Sequence, residues 1–373
     1  MKIDLDILIK VVVPLVAALL MSFIATPIVK SFAYKVGAID VPKDNTRMHD
    51  HPIPRIGGLA IFLGFILSVI LFADINRQIR GVLLGAVIVV ITGAVDDVLD
   101  LPAWVKFLTQ ILAAVVTVAH GVVFERLSNP FGFLFGGSSF ELGIFAIPVT
   151  VLWIVAVTNS VNFIDGLDGL ALGVSSIASG TMLVTALIAS DTNTAVVLAA
   201  LLGACLGFLP ANVNPAKMFI GDTGALLLGY VLAAMSVLGL FKFYAVVSFF
   251  TPFLILALPI FDEVFAIVRR LIKGQKPWAR DRGHMHHRLI DLGLNQKQAV
   301  AVMYSASSIL GLSAVVLTTE GSAKALLLIG VFVIAGIFGA FTLKERADGK
   351  TDADKAEPPE LPEETASGEK NDK

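Results

Sequence analysis

The stretch at residues 158–171, TNSVNFIDGLDGLA, sets two amides and two carboxylates between long apolar runs, with Asn159, Asn162, Asp165 and Asp168 recurring every third residue. On an unbroken α-helix a row with that step drifts by about 60° per member, so four members do not share a face. The spacing therefore predicts a break, which Gly166 and Gly169 allow. The expected arrangement is a helix ending near Phe163, a tight turn carrying Asp165, and a new helix starting near Asp168, whose carboxylate caps it. Acids and amides at a helix end, with glycines permitting close backbone approach, suit a metal-bound phosphate. They also suit a capped hairpin between two membrane helices.

Three further stretches could take part. Asp96 and Asp97 close an apolar run in GAVDDVLDLPAW, with Asp100 close by. Adjacent carboxylates raise each other's pKa unless a cation lies between them, and acids at a helix C-terminus oppose the macrodipole. Lys106, just past the turn, can pair with them or bind an anion. In ANVNPAKMFIGDTGALLLG, Asp222 stands where an N-cap or a hard-cation ligand would be, and Phe219 is either a stacking surface for a base or an interfacial side chain. RDRGHMHHRL places His284, His286 and His287 among arginines, with no cysteine nearby. The arginines would repel a zinc ion, so the histidines suit phosphate oxygens better; a solvated basic loop is the plainer alternative. Carboxylates for a hard cation such as Mg²⁺, combined with cations for phosphate, point to phosphoryl transfer, in which positioning and charge neutralisation carry most of the catalysis.

The elements that must hold these groups are membrane helices. Of the 373 residues 56% are hydrophobic and 16% charged, against about 25% charged in a soluble domain, and the mean hydropathy is +0.83. The net charge of −2 matters less than where Lys and Arg lie. The only cysteine, Cys205, sits in an apolar run, which excludes an intrachain disulfide and makes it a small buried residue. The apolar stretch from Ile7 lacks an A-x-A-like cleavage site and is expected to be a retained first helix. Apolar runs at 7–29, 57–73, 81–95, 104–119, 142–157, 170–189, 195–209, 225–240, 246–268, 299–317 and 325–343 predict an all-α polytopic integral membrane protein of about eleven transmembrane helices.

Basic loops stay in the cytoplasm. The two richest, 30–55 and 269–297, both fall inside if the N-terminus lies outside. The same parity brings Asp96, Asp97, the 159–168 stretch, the 212–222 stretch and the histidines to the cytoplasmic face. Residues 1–344 form the expected membrane-embedded catalytic domain. Residues 345–373, acidic and almost without apolar side chains, are expected to be a disordered cytoplasmic tail.

DDVLDL, NSVNFIDGLDGLA, NVNPAKMFIGDTGALLLG and HMHHRL, in this order and separation, resemble the motifs of the polyprenyl-phosphate N-acetylhexosamine-1-phosphate transferases. The resemblance runs from PRIGG at Pro54 to Gly58 through the histidine motif. It implies a multi-pass, Mg²⁺-dependent enzyme of the bacterial plasma membrane, with Mn²⁺ as a substitute ion, that moves a sugar 1-phosphate from a UDP-sugar to undecaprenyl phosphate and releases UMP. By motif match Asp222 is the metal ligand, Asp96 or Asp165 activates or orients the lipid phosphate, and Asp97 completes the catalytic carboxylates. Asn162 supports the site, Phe219 stacks on uracil, Asn212 helps bind the nucleotide, and His284, His286 and His287 hold phosphate. Lys106, Asp168 and Arg55 are further substrate-binding residues.

The family branch that transfers phospho-muramoyl-pentapeptide typically reads PTMGG and carries three consecutive histidines. Pro54-Arg55-Ile56-Gly57-Gly58 and the split His284-Met285-His286-His287 look like the other branch, which uses UDP-N-acetylglucosamine to start teichoic acid, O-antigen or related polymers. The muramoyl branch remains the alternative within the family. A phosphate monoester, with its second pKa near ~6, is already largely dianionic at neutral pH. The lipid phosphate thus needs aiming more than deprotonation, which favours direct attack over a covalent aspartyl-phosphate. A secondary transporter would instead put its polar breaks near the bilayer midplane in related halves, whereas here they sit at span ends. The expected partners are the two substrates, membrane lipid and a second copy of the chain; nucleic acid is not expected.

Overall fold

The structure is a computed structural model that describes residues 5–42, 51–124, 126–128, 139–239, 246–275, 283–320 and 330. Helices dominate: α1 (Leu5–Val36), α2 (Gly58–Phe72), α3 (Arg77–Leu99), α4 (Ala103–Ala119), α5 (Ala146–Phe163), α6 (Leu170–Ile188), α7 (Thr192–Asn212), α8 (Gly221–Gly239), α9 (Val246–Ile255), α10 (Ala257–Ile272), α11 (Met285–Asp291) and α12 (Gln296–Glu320). Two short antiparallel pairs accompany them, β1 (Ile39–Asp40) with β2 (Ile53–Pro54) and β3 (Arg126–Ser128) with β4 (Ser139–Glu141). Among the described residues seven helices are long and apolar enough to cross a membrane, and α2 and α4 are shorter apolar helices. The protein is an all-α, multi-pass membrane protein.

Each of the first eight predicted spans overlaps one helix, and the run 299–317 falls inside α12. The run 246–268 is not one helix but two, α9 and α10, parted at Leu256. Pro259 explains the break: it has no N–H to give the carbonyl of Ile255, and its ring would collide with that oxygen. The run 325–343, apart from Gly330, and the tail 345–373 lie outside the described residues.

Helix α8 is the centre. Every residue from Thr223 to Gly239 is buried, as expected of a helix apolar on all sides. It packs against α3 and α5. With lipid as apolar as leucine, close packing rather than water exclusion has to hold the helices together, and small residues permit it. A Cβ on Gly58 of α2 would stand 2.1 Å from the Gly224 nitrogen, and one on Gly93 of α3 would stand 2.5 Å from the Thr223 Cα. Large apolar side chains such as Ile24, Leu71 and Leu152 stay exposed on outer helix faces, the pattern of a surface whose solvent is hydrocarbon.

Candidate active site

The C-terminal turn of α3, the start of α4, the end of α5 and the start of α8 meet at one place. Helix α8 begins at Gly221, so Asp222 lies inside its first turn and does not cap it. The capping oxygens come from Asp97, which accepts from the Asp222 nitrogen (3.0 Å), the Thr223 nitrogen (3.1 Å) and Thr223 Oγ1 (2.6 Å). Asp97 is thus opposed to the dipole of its own helix but aligned with that of α8. The fit is close. Gly221 has φ +66°, and a Cβ there would stand 1.7 Å from the Arg55 carbonyl oxygen and 2.5 Å from Asp97 Oδ2.

With its backbone held in this way, Asp222 turns its carboxylate to other partners. Oδ2 accepts from Lys106 Nζ at 2.8 Å and Oδ1 from Asn162 Nδ2 at 3.0 Å. Lys106 also donates to Asp96 Oδ2 at 3.1 Å, while Asp96 Oδ1 accepts from the Leu101 nitrogen at 2.7 Å. One ammonium therefore bridges two carboxylates from different helices. Arg55 fixes the flank: Nε donates to the Asp97 carbonyl (2.8 Å) and a terminal nitrogen to Asp100 Oδ1 (2.7 Å), where Asp100 ends α3 in the left-handed conformation.

The DGLDG segment is a turn, as its spacing predicts, with α5 ending at Phe163. Asp165 is partly buried there. Desolvation, followed by the charges of Asp222, Asp97 and Asp168, holds its carboxyl well above the usual range. Asp168 does not cap the next helix. That helix starts at Leu170 behind Gly169, whose φ of +78° turns the chain and leaves Asp168 facing the neighbouring loop. Its Oδ2 accepts from Asn214 Nδ2 (2.9 Å) and the Ala216 nitrogen (3.0 Å), tying the turn to the NVNPAK loop. At the end of α7, beside that loop, Asn212 donates to the Met218 carbonyl at 3.1 Å, and its Oδ1 is buried with no partner among the described residues. Phe219, half-buried, is held by backbone pairing with the PRIGG segment, its nitrogen on the Pro54 carbonyl (2.8 Å) and its carbonyl accepting from Gly57 (3.0 Å).

The histidines reach the turn through His286, which is buried against Gly166: a Cβ on that glycine would stand 2.3 Å from His286 Nε2. Burial, with the nearby His287, pushes the His286 pKa down to about 4, so this ring is neutral at pH 7. His287 packs on it at 4.3 Å between ring centroids. His284 stacks between Phe163 and His286, at 5.9 and 5.8 Å. All thirteen candidate residues thus lie in this network or border it.

The sequence reading passed over Asp262 and Glu263, which face this region from α10. Asp262 binds His284 Nδ1 at 2.9 Å, and Ser160 donates to Glu263. The signal was present, since two carboxylates inside an apolar run are costly unless they are used. Beside Ser160 and Glu263 an apolar cavity of about 350 Å³ runs between α5, α9 and α10, lined by Leu152, Trp153, Val157, Phe253, Ile260 and Val264.

No group of three or more His, Cys, Asp or Glu side chains among the described residues is arranged to hold a metal ion by itself. Asp96 and Asp222 nevertheless converge on one cation, the Lys106 ammonium. Mg²⁺ typically takes one or two carboxylates and completes its shell with water and substrate phosphates, so the donor set fits.

The sequence model of glycosyl transferase family 4 matches residues 79–240, which hold these carboxylates, the DGLDG turn and the NVNPAK loop. Over 329 residues the chain is 42% identical to a probable undecaprenyl-phosphate N-acetylglucosaminyl 1-phosphate transferase of Bacillus subtilis, covering 88% of this chain and 90% of that protein. It is 32% identical over 369 residues to the decaprenyl-phosphate N-acetylglucosaminephosphotransferase of Mycobacterium tuberculosis, covering 90% of each. It is 26% identical over 324 residues to the undecaprenyl-phosphate alpha-N-acetylglucosaminyl 1-phosphate transferase of Yersinia pestis, covering 85% of this chain and 87% of that protein.

Proposed function

Because the chain belongs to glycosyl transferase family 4, we propose that it transfers N-acetylglucosamine 1-phosphate from UDP-N-acetylglucosamine to undecaprenyl phosphate, releasing UMP. It is a sugar-phosphate transferase. The observation that carries the reading is the pair Asp96 and Asp222 closing on a single cation, with Asn162 orienting the second carboxylate. In the reaction an oxygen of the lipid phosphate bonds to the β-phosphorus of the UDP-sugar. The bond from that phosphorus to the bridging oxygen breaks, and its electron pair leaves with UMP.

The residues divide this work. Asp222, with Asp96, is the proposed seat of Mg²⁺, which when bound supplies charge neutralisation for the pyrophosphate. Lys106, whose ammonium holds that place between the carboxylates here, would give way to the ion and turn its charge to a substrate phosphate oxygen. Asp165, with its raised pKa, can share a proton with a lipid phosphate oxygen and so aim it. Phe219 offers a ring to uracil, and Asn212 Oδ1, buried without a partner among the described residues, offers an acceptor to a base N–H. The apolar cavity beside Glu263 suits part of an isoprenoid chain. The product is a lipid-linked sugar, the first membrane intermediate of a cell-envelope polymer.

The test uses purified enzyme, both substrates and Mg²⁺, following UMP and lipid-linked sugar phosphate. Activity should disappear with EDTA and return with Mg²⁺ or Mn²⁺. A donor switch, with UDP-N-acetylglucosamine inert and the muramoyl-pentapeptide donor active, would refute the choice of sugar. The proposed topology has about eleven spans, the N-terminus outside and the site on the cytoplasmic face. On a Cys205→Ser background, Lys273→Cys should be labelled only from the cytoplasm and Glu141→Cys only from outside; the reverse pattern sinks this orientation.

A further inference from the structure

The carboxylate of Asp262 has a position that the roles assigned above do not use. It is 4% exposed, on α10 just beyond the break at Leu256. Both of its oxygens are engaged, Oδ2 with His284 Nδ1 at 2.9 Å and Oδ1 with the Met285 nitrogen at 2.7 Å. His284 in turn lies in the ring stack that ends on Gly166 of the DGLDG turn. We infer that Asp262 is a positioning residue for the transfer reaction: by accepting from His284 Nδ1 it fixes the tautomer and the ring plane, so that Nε2 is the nitrogen left to meet a substrate phosphate. The inference rests on the transferase reading.

The chemistry follows from the two ring nitrogens. A carboxylate facing Nδ1 requires a proton there, so any further proton is taken up at Nε2, which then donates to a phosphoryl oxygen in a charge-assisted bond. Without the carboxylate the proton can sit on either nitrogen and the ring can turn. His286 cannot replace it, because burial keeps that ring neutral. The same carboxylate also starts α11, so a capping role has to be separated from a role exerted through His284.

Two substitutions separate them. Asp262→Asn has nearly the same shape, and its amide oxygen can still accept from the Met285 nitrogen. Its NH₂ group, however, then faces Nδ1 and demands a lone pair there, which shifts the proton to Nε2. Met285→Pro does the opposite. It deletes the N–H that Asp262 caps and leaves the His284 bond, at the first helical position, where proline is tolerated. His284 already has φ −61° and ψ 151°, the conformation a residue before proline prefers.

UMP release by Asp262→Asn is expected to fall roughly 10- to 100-fold, by analogy with the loss of a carboxylate that orients a metal-ligating histidine. Met285→Pro should stay within about threefold of wild type. His284→Gln should be as impaired as Asp262→Asn, and the double variant Asp262→Asn/His284→Gln should be no worse than His284→Gln alone, since the first change acts only through the second residue. Wild-type rates in Asp262→Asn, a fall in Met285→Pro equal to that in Asp262→Asn, or multiplying effects in the double variant would each overturn the inference. Should Asp262→Asn fail to fold, the comparison of Met285→Pro with His284→Gln still decides between capping and positioning. Failure of the wild-type enzyme to release UMP from UDP-N-acetylglucosamine would instead strike the functional reading beneath it.

Discussion

Asp222→Asn is expected to slow UMP release about a thousandfold in a protein that folds as well as wild type. The amide keeps the volume of the carboxylate and can still accept from Asn162, whose Nδ2 lies 3.0 Å away. What it loses is the negative charge that a hard cation requires. A lost ligand of this kind costs several kcal/mol of transition-state stabilisation, and a factor of 10³ in rate is about 4 kcal/mol. The fold should change little, because the lost ion pair with Lys106 is offset on two sides: the ammonium keeps Asp96 at 3.1 Å, and the repulsion of Asp222 on Asp165 is relieved. Thermal unfolding in detergent and UMP release, measured on the same preparation, separate the two effects. Asp191→Asn is the matched control: Asp191 caps α7 through Thr194, a task asparagine performs as well, so its activity should equal wild type. If folded Asp222→Asn turns over like wild type, the metal-ligand role is wrong.

Asp97→Asn should fail differently, losing stability and activity together. Its buried carboxylate takes three hydrogen bonds at the start of α8. The amide would set an NH₂ group against a backbone N–H and remove the charge that faces the helix dipole. Charge-assisted bonds and a helix cap of this kind together amount to roughly 3 kcal/mol, which should appear as a clear drop in melting temperature. Activity should fall on the order of a hundredfold, because one of the three bonds is to the backbone of Asp222 and a displacement of about 1 Å is enough to misalign a reacting group by that factor. An Asp97→Asn enzyme that melts like wild type yet is inactive would show that Asp97 meets the substrates directly, as the family motif taken alone implies.

The contrast between these two neighbouring aspartates is the kind of distinction a linear reading does not reach. Hydropathy, run length and punctuation by glycine and proline are local properties, so the all-α membrane class, the places of nine of the eleven apolar runs on helices and the break at Gly166 and Gly169 could be read directly from residue order, whereas the run 246–268 divides at Leu256. The motifs likewise marked most of the polar residues that gather at the candidate site, Asp262 and Glu263 excepted, because leaving carboxylates and amides at membrane-helix ends without a use is costly. Which oxygen faces which donor depends instead on where distant helix ends meet. Lys106 and Asp222 are 116 positions apart, and Asp97 and the Asp222 nitrogen 125. The spacing predicts Asp168 as the cap of α6, but Gly169, in the left-handed conformation, turns it toward Asn214. Asp262 passed for part of an apolar span because only tertiary packing carries His284 to within 2.9 Å of it. The sequence by itself determined the class, most of the described helices and the chemical types present. Tertiary structure alone decided the roles, because a carboxylate becomes a cap, a cation ligand or a histidine's partner only through the group that packing places opposite it.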